Sequence, residues 1–217
     1  MPLLRRIIVI APFLFALASP AYAHTPSPGL KGFWSGVLHL ISDPAQMVML
    51  AAVCFWAGQV TLTYFRPILT AAVIACTLGL AIGFTGLSDK CGLLFGLLAA
   101  PEPTLINLIM LIAAALTAIC AALAPQKGKV LIWPATLVIS ALAGYANVPD
   151  PGAVSALAVT VFGSVTAYIY ILVVGSVGLQ HIAERYTYAW LPIAMRTASA
   201  WTATIAVLLF ASQVAIK

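Results

Sequence analysis

Charge is what this chain has least of. Ten lysines and arginines and five acids are spread over 217 residues, 7% of the total, where soluble domains carry about 25%. With 63% of residues hydrophobic and a mean hydropathy of +1.10, there is too little polar surface to shield such a core from water. That excludes a soluble globular protein and makes a lipid bilayer the solvent. Histidine is almost as scarce: His24, His39 and His181 are the only three. The four cysteines, Cys54, Cys76, Cys91 and Cys120, have no CxxC spacing. Three of them lie inside apolar runs, where cysteine acts as a small apolar filler, so neither a disulfide framework nor a thiolate metal site is indicated. There is no Ser-His-Asp set, HExxH, phosphate loop or redox CxxC, and the chain does not read as an enzyme. The formal charge of +5 comes from basic residues scattered singly or in pairs, a pattern that sets membrane topology and does not bind nucleic acid.

What is present is organised by the apolar runs. Residues 1–23 read as a cleavable signal peptide: Arg5-Arg6 form the basic region, Ile7 to Ala18 the apolar region, and Ala21-Tyr22-Ala23 an A-x-A site. Cleavage there leaves His24 as the mature N-terminus, outside the cytoplasmic membrane. Residues 24–43 form a Pro-rich lead and then a short amphipathic helix over Lys31 to Ile41, suited to the periplasmic interface with Trp34 at headgroup depth. Residues 44–217 form the transmembrane domain. Six runs of about 20 residues or more each match a hydrocarbon layer of about 30 Å. They cover about Pro44–Phe65, Ile68–Leu87, Thr104–Ala124, Val130–Asn147, Gly152–Leu179 and Ala189–Ala215. Arg66-Pro67 reads as the turn between the first two. Cys91 to Ala100 is too short to cross and reads as a re-entrant or interfacial piece, and Gln180 to Tyr188 as a polar, aromatic loop. The expected fold class is an all-α membrane protein of six transmembrane helices.

Charge orients this arrangement. With the mature N-terminus outside, Arg66, Lys127, Lys129 and Arg185 fall on the inner side and Lys31, Lys90 and Lys217 on the outer, in keeping with the positive-inside rule. The expected location is a bacterial inner membrane with a periplasmic N-terminus. Four of the five acids, Asp43, Asp89, Glu102 and Asp150, fall on the outer side. They make a negative mouth that concentrates cations. Gly79 and Gly83 stand at the four-residue spacing that lets transmembrane helices approach closely.

The densest candidate chemistry lies in Gly32 to Gln59, GFWSGVLHLISDPAQMVMLAAVCFWAGQ. His39 and Ser42 precede Asp43-Pro44, and the run ends in Trp56-Ala57. On these residues the chain resembles the hydrogenase/urease accessory family of nickel and cobalt permeases (HupE/UreJ), whose first-span pattern is close to H-P-x-S-G-x-D-H-x-x-x-M followed by an apolar run to W-A. His39, Ser42 and Trp56-Ala57 match. The family's aspartate and second histidine fall on Ala45 and Gln46, and its methionine on Leu50. Glu102 after Pro101 is similar to the family's P-E element, and Ala143-Gly144-Tyr145-Ala146-Asn147 stands where the family writes H-G-x-A-H. The resemblance implies a six-span permease whose substrate is nickel or cobalt, here in a divergent form with most histidines replaced.

Imidazole nitrogen with carboxylate oxygen suits nickel and cobalt, and an N-terminal amine beside an imidazole suits copper(II). The candidate metal ligands are therefore His24, His39, Glu102 and Asp43. Each has a plainer reading. Ser42 or Asp43 before Pro44 is an N-cap followed by proline at the first helical position, and for Asp43 capping is the stronger of the two. Glu102 and Asp150 sit at helix starts, where an acid favours the helix dipole. Gln46 and Asn147, at family histidine positions, read as residues lining a former pathway; Gln59 and Asn107 read as pins between helices, His181 as a solvated loop residue, and Arg196 as snorkelling or pairing with Glu184. Two functions follow from different classes. One is a permease-like protein for a divalent transition metal. The other is a non-transporting membrane subunit or accessory factor with a membrane or periplasmic protein partner.

Overall fold

Asp43 and Pro44 start the helix around which the others pack. A residue before proline is pushed out of the helical region, and Asp43 is extended, with φ −85° and ψ 109°. Helix α1, Phe33–Ser42, therefore stops there, and α2, Pro44–Ala57, starts. The Asp43 carboxylate accepts the backbone N–H of Ala45 at 2.9 Å through Oδ1. Proline at the first helical position has no N–H to leave unpaired. The two helix axes differ by 77°.

The computed structural model describes residues 32–60, 62–85, 103–123, 130–148, 154–186 and 188–215, and every element among them is a helix. The signal peptide, His24, the Cys91–Ala100 piece, Glu102 and Asp150 lie outside the described residues. Five more helices follow α2: α3, Leu62–Thr85; α4, Pro103–Leu123; α5, Ile132–Ala146; α6, Val154–Arg185; and α7, Trp190–Ala215. Helix α2 touches α4, α5, α6 and α7, and α1 across the bend. Its buried positions run all the way round: Gln46, Met49, Leu50, Val53, Cys54 and Trp56 among others. A helix apolar on every side belongs at the centre of a bundle.

The outer helices pair around it, and small residues set how closely. Helices α3 and α5 meet where a Cβ on Gly79 would strike the Ala141 carbonyl and one on Gly144 would strike the Cys76 carbonyl. Helices α1 and α6 meet through Gly36 against Thr160 and Gly163 against Phe33, again backbone to backbone. Helix α4 pairs with α7. In a bilayer no hydrophobic effect drives helices together, so this close approach is itself the source of cohesion.

Large apolar side chains such as Ile74, Leu78, Leu116, Phe162, Ile193 and Leu208 point outward and are exposed. Helices α3, α4, α6 and α7 hold spans long and apolar enough to cross a membrane, yet only 22–33% of the apolar stretch of each is buried inside the protein. Most of their apolar surface faces outward, and only lipid can cover it. The bent pair α1–α2 is long and apolar enough only when its two helices are taken together, and α5 is apolar but shorter. The chain is a multi-pass, all-α membrane protein.

Two features of the sequence reading need correction. The turn after α2 falls at Gly58–Val60, closed by Gln59 N–H to Trp56 O at 3.0 Å and Val60 N–H to Ala57 O at 3.1 Å. Arg66-Pro67 does not turn the chain, because Pro67 lies inside α3. It stands in the second turn, so the bond it forgoes is the single one to residue 63. Helix α6 also runs on to Arg185, which puts His181 and Glu184 on an exposed helical end instead of in a loop.

Helices α2, α4 and α6 run one way and α3, α5 and α7 the other. This brings the start of α2 and the end of α5 to one face of the bundle, called here the Asp43 end. The end of α2, the end of α4 and the start of α7 meet at the other, the Arg196 end.

Candidate functional site

At the Asp43 end a chain of side-chain bonds crosses from α2 to α5. Asp43 Oδ2 accepts from Gln46 Nε2 at 2.9 Å. Gln46 is fully buried, and its Oε1 accepts from Asn147 Nδ2 at 2.5 Å. The same Asn147 nitrogen donates to the Ala143 carbonyl one turn back, at 2.7 Å. Asn147 is 4% exposed, and its Oδ1 has no partner. An unpaired buried acceptor is costly, about 1–3 kcal/mol, and a bound cation would satisfy it.

His39 reaches the same place from the last turn of α1. Its Nε2 lies 3.4 Å from the carbonyl oxygen of Ala146, the residue before Asn147. A carbonyl only accepts, so Nε2 is the donor in this contact. Metal-binding imidazoles are oriented in this way, with the second ring nitrogen donating to a backbone carbonyl or carboxylate. The described donors at this end are one imidazole nitrogen, one carboxylate and the Asn147 amide oxygen. Among the described residues no three of His, Cys, Asp and Glu come together as a metal-holding group.

Of the four sequence-predicted ligands, His39 and Asp43 come to one end of the bundle. His24 and Glu102 lie outside the described residues. Asp43 is a helix cap in the structure, as SDP suggests, and Ser42 is not: its hydroxyl donates back to the Leu38 carbonyl at 2.6 Å. Gln46 and Asn147, picked out by the family pattern 101 positions apart, are direct partners.

The Arg196 end is built differently. Gln59 donates through Nε2 to the carbonyls of Phe55, at 3.0 Å, and Ala121, at 3.3 Å, and reaches Ser199 Oγ at 3.5 Å. Gln180 donates to the Ala57 carbonyl at 2.7 Å. Arg196 does not turn to Glu184: its Nε donates to the Ala122 carbonyl at 2.7 Å and its Nη2 to Leu123 O at 3.4 Å. Those are the unsatisfied carbonyls at the C-terminus of α4, where a cation also opposes the helix dipole.

Between the ends, Tyr168 on α6 donates its hydroxyl proton to Ser140 on α5, and Ser140 donates to the Thr136 carbonyl. Ser176 Oγ lies 3.9 Å from Cys54 Sγ. Cys54, Cys76 and Cys120 are free thiols. Sequence reading passed over Thr136, Ser140, Tyr168 and Gln180. The available signal was hydroxyl and amide residues every fourth position inside apolar runs, Thr136 with Ser140 and Ser176 with Gln180.

Set against known proteins, the chain matches no family model, no curated protein and no solved structure.

Proposed function

We propose that this protein is a permease-like component of a bacterial inner membrane, taking a divalent transition metal (nickel, cobalt or copper) at its periplasmic mouth. The bent pair α1–α2, the shorter α5 and the four long helices make six spans, with the Asp43 end outward as the distribution of arginine and lysine favours. The observation that carries the reading is the chain from half-buried Asp43 to buried Gln46 and Asn147, with the unpaired Asn147 oxygen beside it and His39 oriented by Ala146. Imidazole nitrogen with carboxylate and amide oxygen is a donor set for these ions. His24 and Glu102 are the proposed further ligands. A doubly charged ion moving inward gains about 2.3 kcal/mol per charge per 100 mV of membrane potential.

The test is nickel binding to purified protein in nanodiscs, with uptake of nickel by cells in parallel. His39→Ala combined with Asp43→Asn is expected to weaken binding and uptake by at least about tenfold, the scale of losing a ligand or its orienting partner. Equal binding and equal uptake by wild type and variant would sink the proposal.

A second reading has its own observation. Asp43, Gln46 and Asn147 bond to one another, and such a chain fastens α2 to α5 whether or not an ion arrives. A non-transporting subunit or assembly factor of a metalloenzyme complex would need no more. Purification with a stoichiometric protein partner and no metal favours this reading.

A further inference from the structure

The described structure has four buried side-chain oxygens without a partner: Thr136 Oγ1, Asn147 Oδ1, Gln180 Oε1 and Gln213 Oε1. Three of them border one seam, where α5 and α6 flank α2. Asn147 bonds to Gln46 near the start of α2, and Gln180 bonds to Ala57 at its end. These two positions are about 16 Å apart along the helix at 1.5 Å per residue. Thr136 shares a face of α5 with Ser140 and Asn147, at helical spacing. That face adjoins the one carrying Ala141 and Gly144, which packs on α3.

Other hydroxyls in the bundle have partners, Ser164 across helices on the Gly36 carbonyl and several on their own helix. Ser42, Thr77, Ser199, Thr202 and Thr204 each donate to a carbonyl three or four residues back in their own helix. Thr136 is fully buried and makes no such bond. An unpaired polar group inside a membrane bundle calls for an explanation, because such groups are usually satisfied across helices. Halfway along the seam, the Tyr168 hydroxyl bridges α6 to Ser140 on α5.

We infer that the seam between α2, α5 and α6 is a hydrated path across the molecule, lined by the neutral oxygens of Asn147, Ser140, Thr136 and Gln180 and closed midway by the Tyr168–Ser140 bond. Resting on the permease reading, it is the route of the cation from the Asp43 end to the Arg196 end. Neutral oxygens suit a route better than a store. They replace part of the hydration shell without holding a divalent ion as carboxylates would, and several weak sites in series let an ion enter and leave. Opening requires only that Tyr168 release Ser140.

Accessibility tests the seam without reference to any substrate. Single variants Ser140→Cys and Thr136→Cys, each a near-isosteric change, are treated in native membranes with a small trimethylammonium thiol reagent and read by peptide mass spectrometry. Thr204→Cys, at an exposed lipid-side position of α7, is the reference. Labelling of both seam positions at least about tenfold faster than Thr204→Cys is expected, and labelling as slow as the reference overturns the path. Tyr168→Phe, which removes the bridging hydroxyl, is expected to speed labelling of Ser140→Cys severalfold; no change overturns the closure. The route is tested by nickel flux into proteoliposomes: Thr136→Val is expected to lower flux about tenfold with nickel binding unchanged, and undiminished flux overturns the route. A wild type that binds no nickel brings down the permease reading alone, since the labelling result still decides the seam.

Discussion

The two ends of α2 carry similar residue types and use them in opposite ways. At the Asp43 end, side chains bond to side chains: carboxylate to Gln46 and Gln46 to Asn147, with one amide oxygen left over. At the Arg196 end, where Gln180 Oε1 is also left over, Gln59, Gln180 and Arg196 bond mainly to backbone carbonyls of neighbouring helices. A carbonyl at a helix end cannot leave its place, so the second arrangement ties elements together. Partners that are both side chains can separate by changing rotamers and leave the helices where they are. Polar residues in a bundle are thus not equivalent evidence of function. What matters is whether their partners are exchangeable.

The largest expected effect separates the two ends by what holds them. Gly144→Ala, beside the Asp43 end, drives a Cβ into the backbone of Cys76, whereas Gly58→Ala meets the side chains of Leu179 and Met195 at 2.6 Å. The Cys76 carbonyl stands nearer, a deeper overlap than the 2.6 Å to Leu179 Cβ, which is fixed to its backbone, and to the Met195 methyl, which can swing aside. Thermal unfolding in detergent is expected to give a loss of about 3 kcal/mol for Gly144→Ala and about 1 kcal/mol for Gly58→Ala. A reversed order would mean that α3 and α5 can separate easily.

A smaller contrast comes from the amides. Gln46→Leu leaves Asp43 Oδ2 and the Gln46-facing proton of Asn147 without their partner, at about 2 kcal/mol. Gln180→Leu leaves the Ala57 carbonyl still accepting from Val60, so about 1 kcal/mol is expected. Chemical denaturation of both variants in the same detergent checks the difference, and equal losses would erase the distinction between the ends.

The smallest effect is that of Arg196→Ala, about 0.5–1 kcal/mol, from the loss of a cation at the carbonyl end of α4. Nickel binding at the Asp43 end should not change. A fall in binding would mean that the arrangement at the Arg196 end bears on the site at the Asp43 end.

How much of this was legible depends on the range of each interaction. The break at Asp43-Pro44 was visible because the effect of proline on its predecessor is local. The bounds of α4 and α7 were visible because an apolar run must match a bilayer. The turn after α2 was misread because Arg66-Pro67 looks like a stop, while proline in the second turn of a helix loses only one bond. Arg196 was assigned to the surface or to Glu184 because its carbonyl partners belong to another helix and carry no sequence signature. Gln46 and Asn147 were noticed through the family pattern, but that they touch could not be read from one chain. Thr136, Ser140 and Tyr168 were passed over, since a hydroxyl in an apolar run most often satisfies itself on its own helix.

Composition alone determined the solvent: with so few charges, the chain's outward apolar surface can be covered only by lipid, where backbone hydrogen bonding permits helices or a closed barrel, and apolar runs of about 20 residues select helices. Which helix lies at the centre, which oxygens remain unpaired and which residues share the seam were decided only in three dimensions. Glycine contacts fix how α1 meets α6 and α3 meets α5, and the rotation of each helix about its axis, which no local rule specifies, selects which polar side chains meet.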